Sequence, residues 1–185
     1  EHWGKVVEMG WTGLITPEEY GGTANSLTSA GVLFEVLGTG PLPGPYFSSG
    51  ILGNLIVLEA GSADQKQHIL AAVASGEQIL TLALTEPAYS WEPAAVQTTA
   101  RQKNGDFILN GLKLFTMDAQ AATHFIVVAR TKEEADPRKG ISLFLVDRKS
   151  EGVSVRRLPG FLTGRTFEVK LDSVKVPGMS LLGEK

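Results

Sequence analysis

The sequence contains no cysteine, and its three histidines lie far apart at His2, His68 and His124. The lack of thiols excludes disulfides, thiol catalysis and cysteine-ligated metals. No two of the histidines have the spacing of metal ligands, so we expect each of them to be a surface or structural residue. The sequence therefore predicts no metal site.

The chain also lacks an excess of positive charge and a long apolar run. Its 17 basic residues are set against 20 acidic ones, and this balance does not favour binding to a nucleic-acid backbone. The longest apolar stretch, residues 51–60, is interrupted by Gly53, Asn54 and Glu59 and is far shorter than the ~20 residues that span a bilayer. Residues 1–10 show no signal peptide. We therefore expect a cytoplasmic protein that binds neither nucleic acid nor membranes.

The first part of the chain has helical periodicity. Trp3, Val6 and Val7 fall on one face of a short helix. A second helix is predicted to start near residue 25 or 26 and to end at Gly38, and residues 51–59 predict a central third helix. The second helix is expected to bury Leu27, Ala30, Leu33, Phe34 and Leu37. Together these elements predict a helical domain over residues 1–76.

A fourth helix closes that domain with clear end signals. Ser62 and Gln65 have the spacing of a capping box, in which each side chain hydrogen-bonds the backbone amide of the other residue. Gly76 is typical of a residue that ends a helix. The buried stripe between these signals is expected to contain Ile69, Leu70 and Val73.

From residue 77 onward the period changes to that of strands. Leu80, Leu82 and Leu84 alternate with smaller residues, a pattern typical of a half-buried strand. Asn104-Gly105 and Asn110-Gly111 each predict a hairpin turn. Further strands are predicted at residues 124–130, 141–147, 153–157, 166–171 and 174–176. Their spacing favours an antiparallel barrel or sandwich, so the whole chain is predicted to be an α+β protein with a β domain over residues 77–185.

General catalytic motifs leave the function open. Residues 38–44 do not follow a strand, as a dinucleotide-binding glycine loop requires. A Walker phosphate loop and a serine-hydrolase elbow are both missing. Glu86 and Glu92 could form a catalytic carboxylate pair, but the residue types alone favour two solvated turn residues. We therefore assign no catalytic residue from these patterns.

Several longer segments resemble the acyl-CoA dehydrogenase family. The triplet TEP at residues 85–87 resembles that family's signature at the end of a strand. WGKVVEMGWTGLITPEEYGG and GSADQKQHILAAVASGE resemble its amino-terminal helical domain. LNGLKLF, FIVVART, GISLFLVD and VKVPGMSLLGE resemble its middle β domain. These segments keep the family's order over nearly the whole chain.

The resemblance implies a flavoenzyme that uses flavin adenine dinucleotide (FAD) to dehydrogenate an acyl-CoA thioester between Cα and Cβ. In that family a second helical bundle follows the β domain and supplies the Glu that removes the Cα proton. The chain ends at LLGEK, where that bundle would begin, so the resemblance implies a fragment without the bundle and without its catalytic base. It further implies a homo- or hetero-oligomer and an electron-transfer flavoprotein as electron acceptor.

By resemblance, Leu82, Leu84 and Thr85 lie along the edge that faces the flavin, and Thr85 is the best match for a hydroxyl donor. Two segments depart from the family pattern. The small-residue run after TEP is replaced by AYSWE, which places Ser90 and Trp91 beside the cofactor. The other segment puts a methionine where the family has a hydroxyl. Its residues are Phe115, Thr116 and Met117.

Residues 45–50 correspond to the helix that lies beside the acyl chain in the family. Ser48 and Ser49, with Trp91, are the expected substrate contacts, and helix packing is the alternative role for the two serines. The sequence leaves three hypotheses open. The protein is part of an active flavoenzyme, a non-catalytic subunit or acyl-thioester-binding protein with a degraded flavin site, or a structural module without a cofactor.

Overall fold

A computed structural model describes residues 2–40, 42–160 and 166–183. The chain folds into two compact units, Glu1–Leu80 and Thr81–Lys185. The first unit is helical and the second is built on a β-sheet, so the predicted α+β fold is confirmed. The position of the domain boundary near residue 76 stays a prediction.

Over its described residues, the helical unit contains four α-helices and an intervening π-helix. Its α-helices are α1 (His2–Glu8), α2 (Leu27–Leu37), α3 (Asn54–Ala60) and α4 (Ala63–Ala74). Short 3-10 turns occupy Trp11–Gly13 and Glu18–Tyr20. The π-helix spans Tyr46–Gly53 and leads directly into α3. The helix that was expected over residues 51–59 therefore begins earlier and has a different period in its first half.

The predicted ends of α2 and α4 are confirmed by their caps. The Ser26 side chain accepts a hydrogen bond from the Ser29 amide at the start of α2. At the start of α4, both reciprocal hydrogen bonds of the Ser62 and Gln65 capping box are present. The expected burial is confirmed for α4 but not for all of α2, because Leu27 is 57% exposed. Its position in the first turn places it beyond the core cluster around Ala30.

Within the described residues, seven strands form one sheet. The strands are β1 (Leu80–Ala83), β2 (Thr99–Lys103), β3 (Asp106–Met117), β4 (His124–Arg130), β5 (Ile141–Asp147), β6 (Val153–Arg157) and β7 (Thr166–Val176). Their order is β1-β4-β2-β3-β7-β6, and β5 also pairs with β4. The β2–β4 contact is parallel, whereas β2–β3, β3–β7, β4–β5 and β6–β7 are antiparallel. The predictions for β4, β5 and β6 match the observed bounds.

One of the two predicted Asn-Gly turns is wrong. Asn104 and Gly105 form the β2–β3 turn with φ angles of 53° and 88°, as predicted. Asn110 and Gly111 instead lie inside β3, where the register against β7 shifts. The Asn110 side chain accepts a hydrogen bond from the Ser173 amide, 2.8 Å away on β7. A β-bulge therefore uses the dipeptide that the sequence alone suggested for a turn. The predicted strands at 166–171 and 174–176 are likewise one continuous strand, β7.

β1 is buried on both faces at its start, where Leu80 is 0% exposed, and the small residues that alternate with its leucines are buried as well. Ala83 and Thr81 are 0% and 1% exposed, and Ala83 belongs to the core of the sheet unit. Leu82 and Leu84 are only half-buried. Aromatic residues on other strands fill the core, including Phe107 and Phe144, whose rings lie 4.9 Å apart. Small side chains on β1 are thus accommodated by large ones across the sheet.

No helix within the described residues is long and apolar enough to cross a membrane.

Candidate functional site

The end of β1 is tied to β3 by two hydrogen bonds to main-chain carbonyls, one from a backbone amide and one from a side chain. The Leu114 amide donates to the Thr85 carbonyl over 2.8 Å. The Lys113 ammonium donates to the Leu84 carbonyl over 3.3 Å. These two bonds hold the carbonyls on both sides of the Thr85 amide. The polypeptide leaves β1 in a fixed geometry.

A buried ion pair lies beneath this strand end. Lys113 Nζ lies 2.7 Å from Glu86 Oε1, and the two side chains are 0% and 5% exposed. The Glu86 carboxylate also accepts hydrogen bonds from the amides of Gln97, at 2.7 Å, and Thr98, at 3.0 Å. The carboxylate thus joins three separate segments of the sheet unit. The expectation that Glu86 is a solvated turn residue is wrong, whereas Glu92 is exposed as expected.

The surroundings of this pair determine its protonation. Burial opposes ionisation of Glu86, but hydrogen bonds from Lys113, Thr98 and Gln97 outweigh burial and lower the carboxyl pKa below its ordinary value of 4.5. Burial lowers the pKa of Lys113, and the Glu86 carboxylate offsets part of that effect. Sequence reasoning missed Lys113, although a lone lysine between Leu112 and Leu114 in a strand was a usable signal.

Thr85 is half-buried, and its hydroxyl carries one hydrogen bond within the described residues. The Trp91 indole N–H donates to Thr85 Oγ1 over 3.1 Å. A hydroxyl can accept one hydrogen bond and still donate its own proton. Thr85 can therefore act as a donor to a ligand while it accepts from Trp91. The half-buried side chains of Leu82 and Leu84 precede it on the same segment.

The segment that follows TEP folds as a turn and then exposes its large side chain. The Tyr89 amide donates to the Glu86 carbonyl over 2.8 Å, and Tyr89 has a φ of 53°. The Ser90 hydroxyl accepts from the Glu92 amide over 3.1 Å. Trp91 is 76% exposed. The Ser90 hydroxyl thus stabilises the backbone from residue 90 to residue 92, and the Trp91 side chain extends from this segment to Thr85.

The second predicted segment lies at the end of β3. Phe115 has a φ of 54°, and the β3–β7 register shifts between Lys113 and Thr116. Phe115 and Met117 are 48% and 40% exposed. Thr116 is 2% exposed, and its hydroxyl oxygen has no hydrogen-bond partner in the described part of the chain. Met117 thus presents a thioether at the surface, while the neighbouring hydroxyl is hidden.

The structure brings most of the predicted cofactor residues close to one strand end. The Thr85 hydroxyl accepts a hydrogen bond from Trp91, and the Thr85 carbonyl accepts one from the amide of Leu114, which precedes Phe115. A fixed strand end with an available hydroxyl and half-exposed apolar side chains fits the edge of a planar, heteroatom-bearing ring such as the flavin of FAD. Among the residues that the structure describes, no cluster of His, Asp or Glu side chains could hold a metal ion.

Ser48 and Ser49 lie in the π-helix of the helical unit and are both 0% exposed. The Ser48 hydroxyl donates to the Pro45 carbonyl over 3.3 Å. The Ser49 hydroxyl accepts from the Leu80 amide over 3.0 Å. These contacts favour the helix-packing role for both serines. A substrate contact by either serine stays a prediction.

Comparisons with known proteins identify the class to which this two-unit fold belongs. The family described as "Acyl-CoA dehydrogenase, N-terminal domain" matches residues 1–77, and "Acyl-CoA dehydrogenase, middle domain" matches residues 81–174. The chain therefore belongs to the acyl-CoA dehydrogenase family, and the resemblance predicted from its motifs is confirmed.

Individual relatives support this assignment. A 3-(aryl)acrylate reductase from Clostridium sporogenes is 36% identical over 186 residues, which cover 97% of this chain and 49% of that protein. A solved structure of a steroid ACAD superposes with a TM-score of 0.87 at 29% identity. The match covers 98% of this chain and 47% of the steroid ACAD chain. A glutaryl-CoA dehydrogenase from Mycobacterium smegmatis, solved in complex with FADH2, has a TM-score of 0.80 at 26% identity, covering 97% and 46%. The chain spans about half the length of the curated relatives it matches.

Proposed function

We propose that this chain is the flavin-positioning part of an enzyme that dehydrogenates an acyl-CoA thioester between Cα and Cβ. The observation that carries the proposal is the Thr85 hydroxyl at the end of β1. It lies on a strand end fixed by Leu114 and Lys113, and its proton is available to an acceptor. Membership of the acyl-CoA dehydrogenase family supplies the chemical context.

Bound FAD would supply the acceptor for the hydride that leaves Cβ of the thioester. The residues of this chain would position the ring: the Thr85 hydroxyl would donate a hydrogen bond to it, and the backbone at Leu82 and Leu84 would supply the edge. Because the protein fixes these groups before FAD binds, they would stabilise the negative charge that develops on the flavin ring without any rearrangement of the protein. The base that removes the Cα proton is proposed to come from polypeptide outside this chain, so no residue here is assigned to that step.

A second candidate function is a non-catalytic subunit that retains the same architecture. Three observations favour it. Trp91 occupies one side of the Thr85 hydroxyl, Met117 presents a thioether, and Thr116 is hidden from the surface. The colour of the purified full-length protein separates the two functions. An enzyme is expected to be yellow and to bleach when an acyl-CoA is added without oxygen, whereas a subunit with a degraded site is not.

The proposed role of Thr85 can be tested with Thr85→Val in the full-length protein. Valine keeps the shape of the side chain and removes the hydroxyl, so we expect flavin reduction to slow by about 10-fold. Thr85→Ser is the matched control, because it keeps the donor and is expected to stay within about 2-fold of the wild-type rate. Reduction and flavin retention that are unchanged in Thr85→Val would exclude a role for the hydroxyl.

We further propose that the reduced flavin is reoxidised by an electron-transfer flavoprotein and that the protein works as a homo- or hetero-oligomer. Both proposals follow from family membership and are measured directly. Stopped-flow reoxidation with the electron-transfer flavoprotein tests the first, and light scattering of the full-length protein tests the second. Slow reoxidation or a monomer would contradict the corresponding proposal.

A further inference from the structure

Large apolar side chains are exposed around one part of the sheet unit. In the described part of that unit, the exposed large hydrophobic residues are Tyr89, Trp91, Phe115, Met117 and Met179. All of these except Met179 lie in the two segments next to Thr85. The rings of Tyr89 and Phe115 lie 6.1 Å apart. The segments that flank the proposed flavin edge are therefore aromatic as well as exposed.

Trp91 differs from the other three because a hydrogen bond fixes its polar end. Its Nε1 donates to Thr85 Oγ1 over 3.1 Å, yet the side chain is 76% exposed. The indole is thus attached at one end beside Thr85 while most of its apolar surface is open. A ring held in this way loses little further freedom when a ligand packs against it. Trp91 is therefore suited to be one wall of a binding site.

The chemistry of an exposed indole favours a flat, apolar partner. Aromatic rings prefer offset-stacked or edge-to-face packing, and such pairs gain more than their buried area alone provides. A short alkyl chain offers neither the area nor the ring quadrupole for this contact. The hydrogen bond to Thr85 does not need to break, because the Thr85 hydroxyl retains its own proton for another acceptor.

We propose that Trp91 is a specificity-determining residue that selects thioesters whose acyl group carries an aromatic ring, by packing the indole against that ring. The inference rests on the proposed function, since it needs the acyl group to lie beside the flavin edge at Thr85. It adds a substrate class and a residue responsible for it. The other exposed side chains, Tyr89 and Phe115, are not required by the proposal.

The test measures thioester binding by isothermal titration to the full-length holoprotein. The probes are 3-phenylpropanoyl-CoA and butanoyl-CoA, used without oxygen. In Trp91→Ala we expect the Kd for the phenyl probe to rise about 10-fold and the Kd for butanoyl-CoA to change less than about 2-fold. Trp91→Phe retains a ring but loses the hydrogen bond to Thr85, so we expect an intermediate rise of about 3-fold for the phenyl probe.

The outcomes separate this inference from the proposed function. If Trp91→Ala weakens the binding of both probes equally, Trp91 only supports the site. If the phenyl probe binds more tightly to Trp91→Ala, the indole is an obstacle to the acyl group. Either result, or no change, overturns the inference while bleaching by both probes still supports the dehydrogenase. A wild-type holoprotein that binds neither probe and does not bleach would overturn both.

Discussion

The buried ion pair under the strand end makes a quantitative prediction about stability. We expect Lys113→Met to lower the free energy of unfolding by about 3 kcal/mol. Methionine keeps most of the apolar stem of a side chain that is 0% exposed but removes the ammonium, which leaves the Glu86 carboxylate buried without its cation. Breaking such a pair costs about 3–5 kcal/mol. The lower end applies because the Gln97 and Thr98 amides still donate to Glu86.

Urea-induced unfolding of the purified protein measures this effect. With a slope of about 2 kcal/mol/M, a loss of about 3 kcal/mol moves the unfolding midpoint down by about 1.5 M. Lys170→Met is the matched control, since Lys170 lies on β7, is 57% exposed and forms a 3.4 Å surface ion pair with Asp172. We expect that control to change the free energy by less than about 1 kcal/mol.

A double variant tests whether the loss comes from the uncompensated charge. Glu86→Gln removes the charge and keeps one oxygen, which can accept from one of the two amides, since Gln97 donates to Oε2 and Thr98 to Oε1. Combined with Lys113→Met, it is therefore expected to recover at least about 1 kcal/mol relative to Lys113→Met alone. The reasoning is refuted if Lys113→Met unfolds at the wild-type midpoint. It is also refuted if Glu86→Gln destabilises the Lys113→Met protein as much as it destabilises the wild type.

Two further predictions concern pH and close packing. Because the folded protein lowers the pKa of Glu86 below 4.5, the free energy of unfolding should fall as pH drops below 4.5. Glu86→Gln should flatten this pH dependence in urea titrations between about pH 5 and 3. An unchanged pH dependence would contradict the lowered pKa of Glu86. A Cβ on Gly111 would overlap the Thr98 side chain, so Gly111→Ala should destabilise by about 1–3 kcal/mol in thermal unfolding, whereas Gly31→Ala, on α2 with open space around it, should be neutral or stabilising. Equal effects of the two alanines would refute the packing argument.

Much of the fold was predictable because its signals are local. The capping box at Ser62 and Gln65 satisfies amides within one helical turn, so the four-residue pattern was sufficient to place the start of α4. The bounds of β4 and β5 follow from apolar runs that end in charged or turn residues. The hairpin at Asn104 and Gly105 needs only two residues with positive φ. None of these inferences required knowledge of a distant partner.

Several of the failures involve partners that are distant in sequence. Asn110 and Gly111 have the composition of a turn, but pairing with β7 converts them into a β-bulge, and the partner residue Ser173 lies 63 positions away. Glu86 has the neighbours of a turn residue, but its counter-ion Lys113 is 27 positions away. The burial of Thr81 and Ala83 on β1 was not predicted, because the large core side chains that fill the space beside them come from other strands. Composition alone cannot supply such pairings.

The triplet TEP therefore has a structural reason that is separate from its proposed flavin role. Thr85 and Glu86 point to different surroundings: the threonine hydroxyl meets the exposed Trp91, whereas the glutamate is buried against Lys113 and two backbone amides. Replacing the glutamate would release the segment that carries the threonine, because the lysine that bonds Glu86 also bonds the Leu84 carbonyl. A change at Glu86 is thus expected to impair ring positioning through the backbone without any contact with the cofactor. Even if Thr85 contacted no flavin, the Glu86 and Lys113 pair would still be needed to end β1 in this geometry.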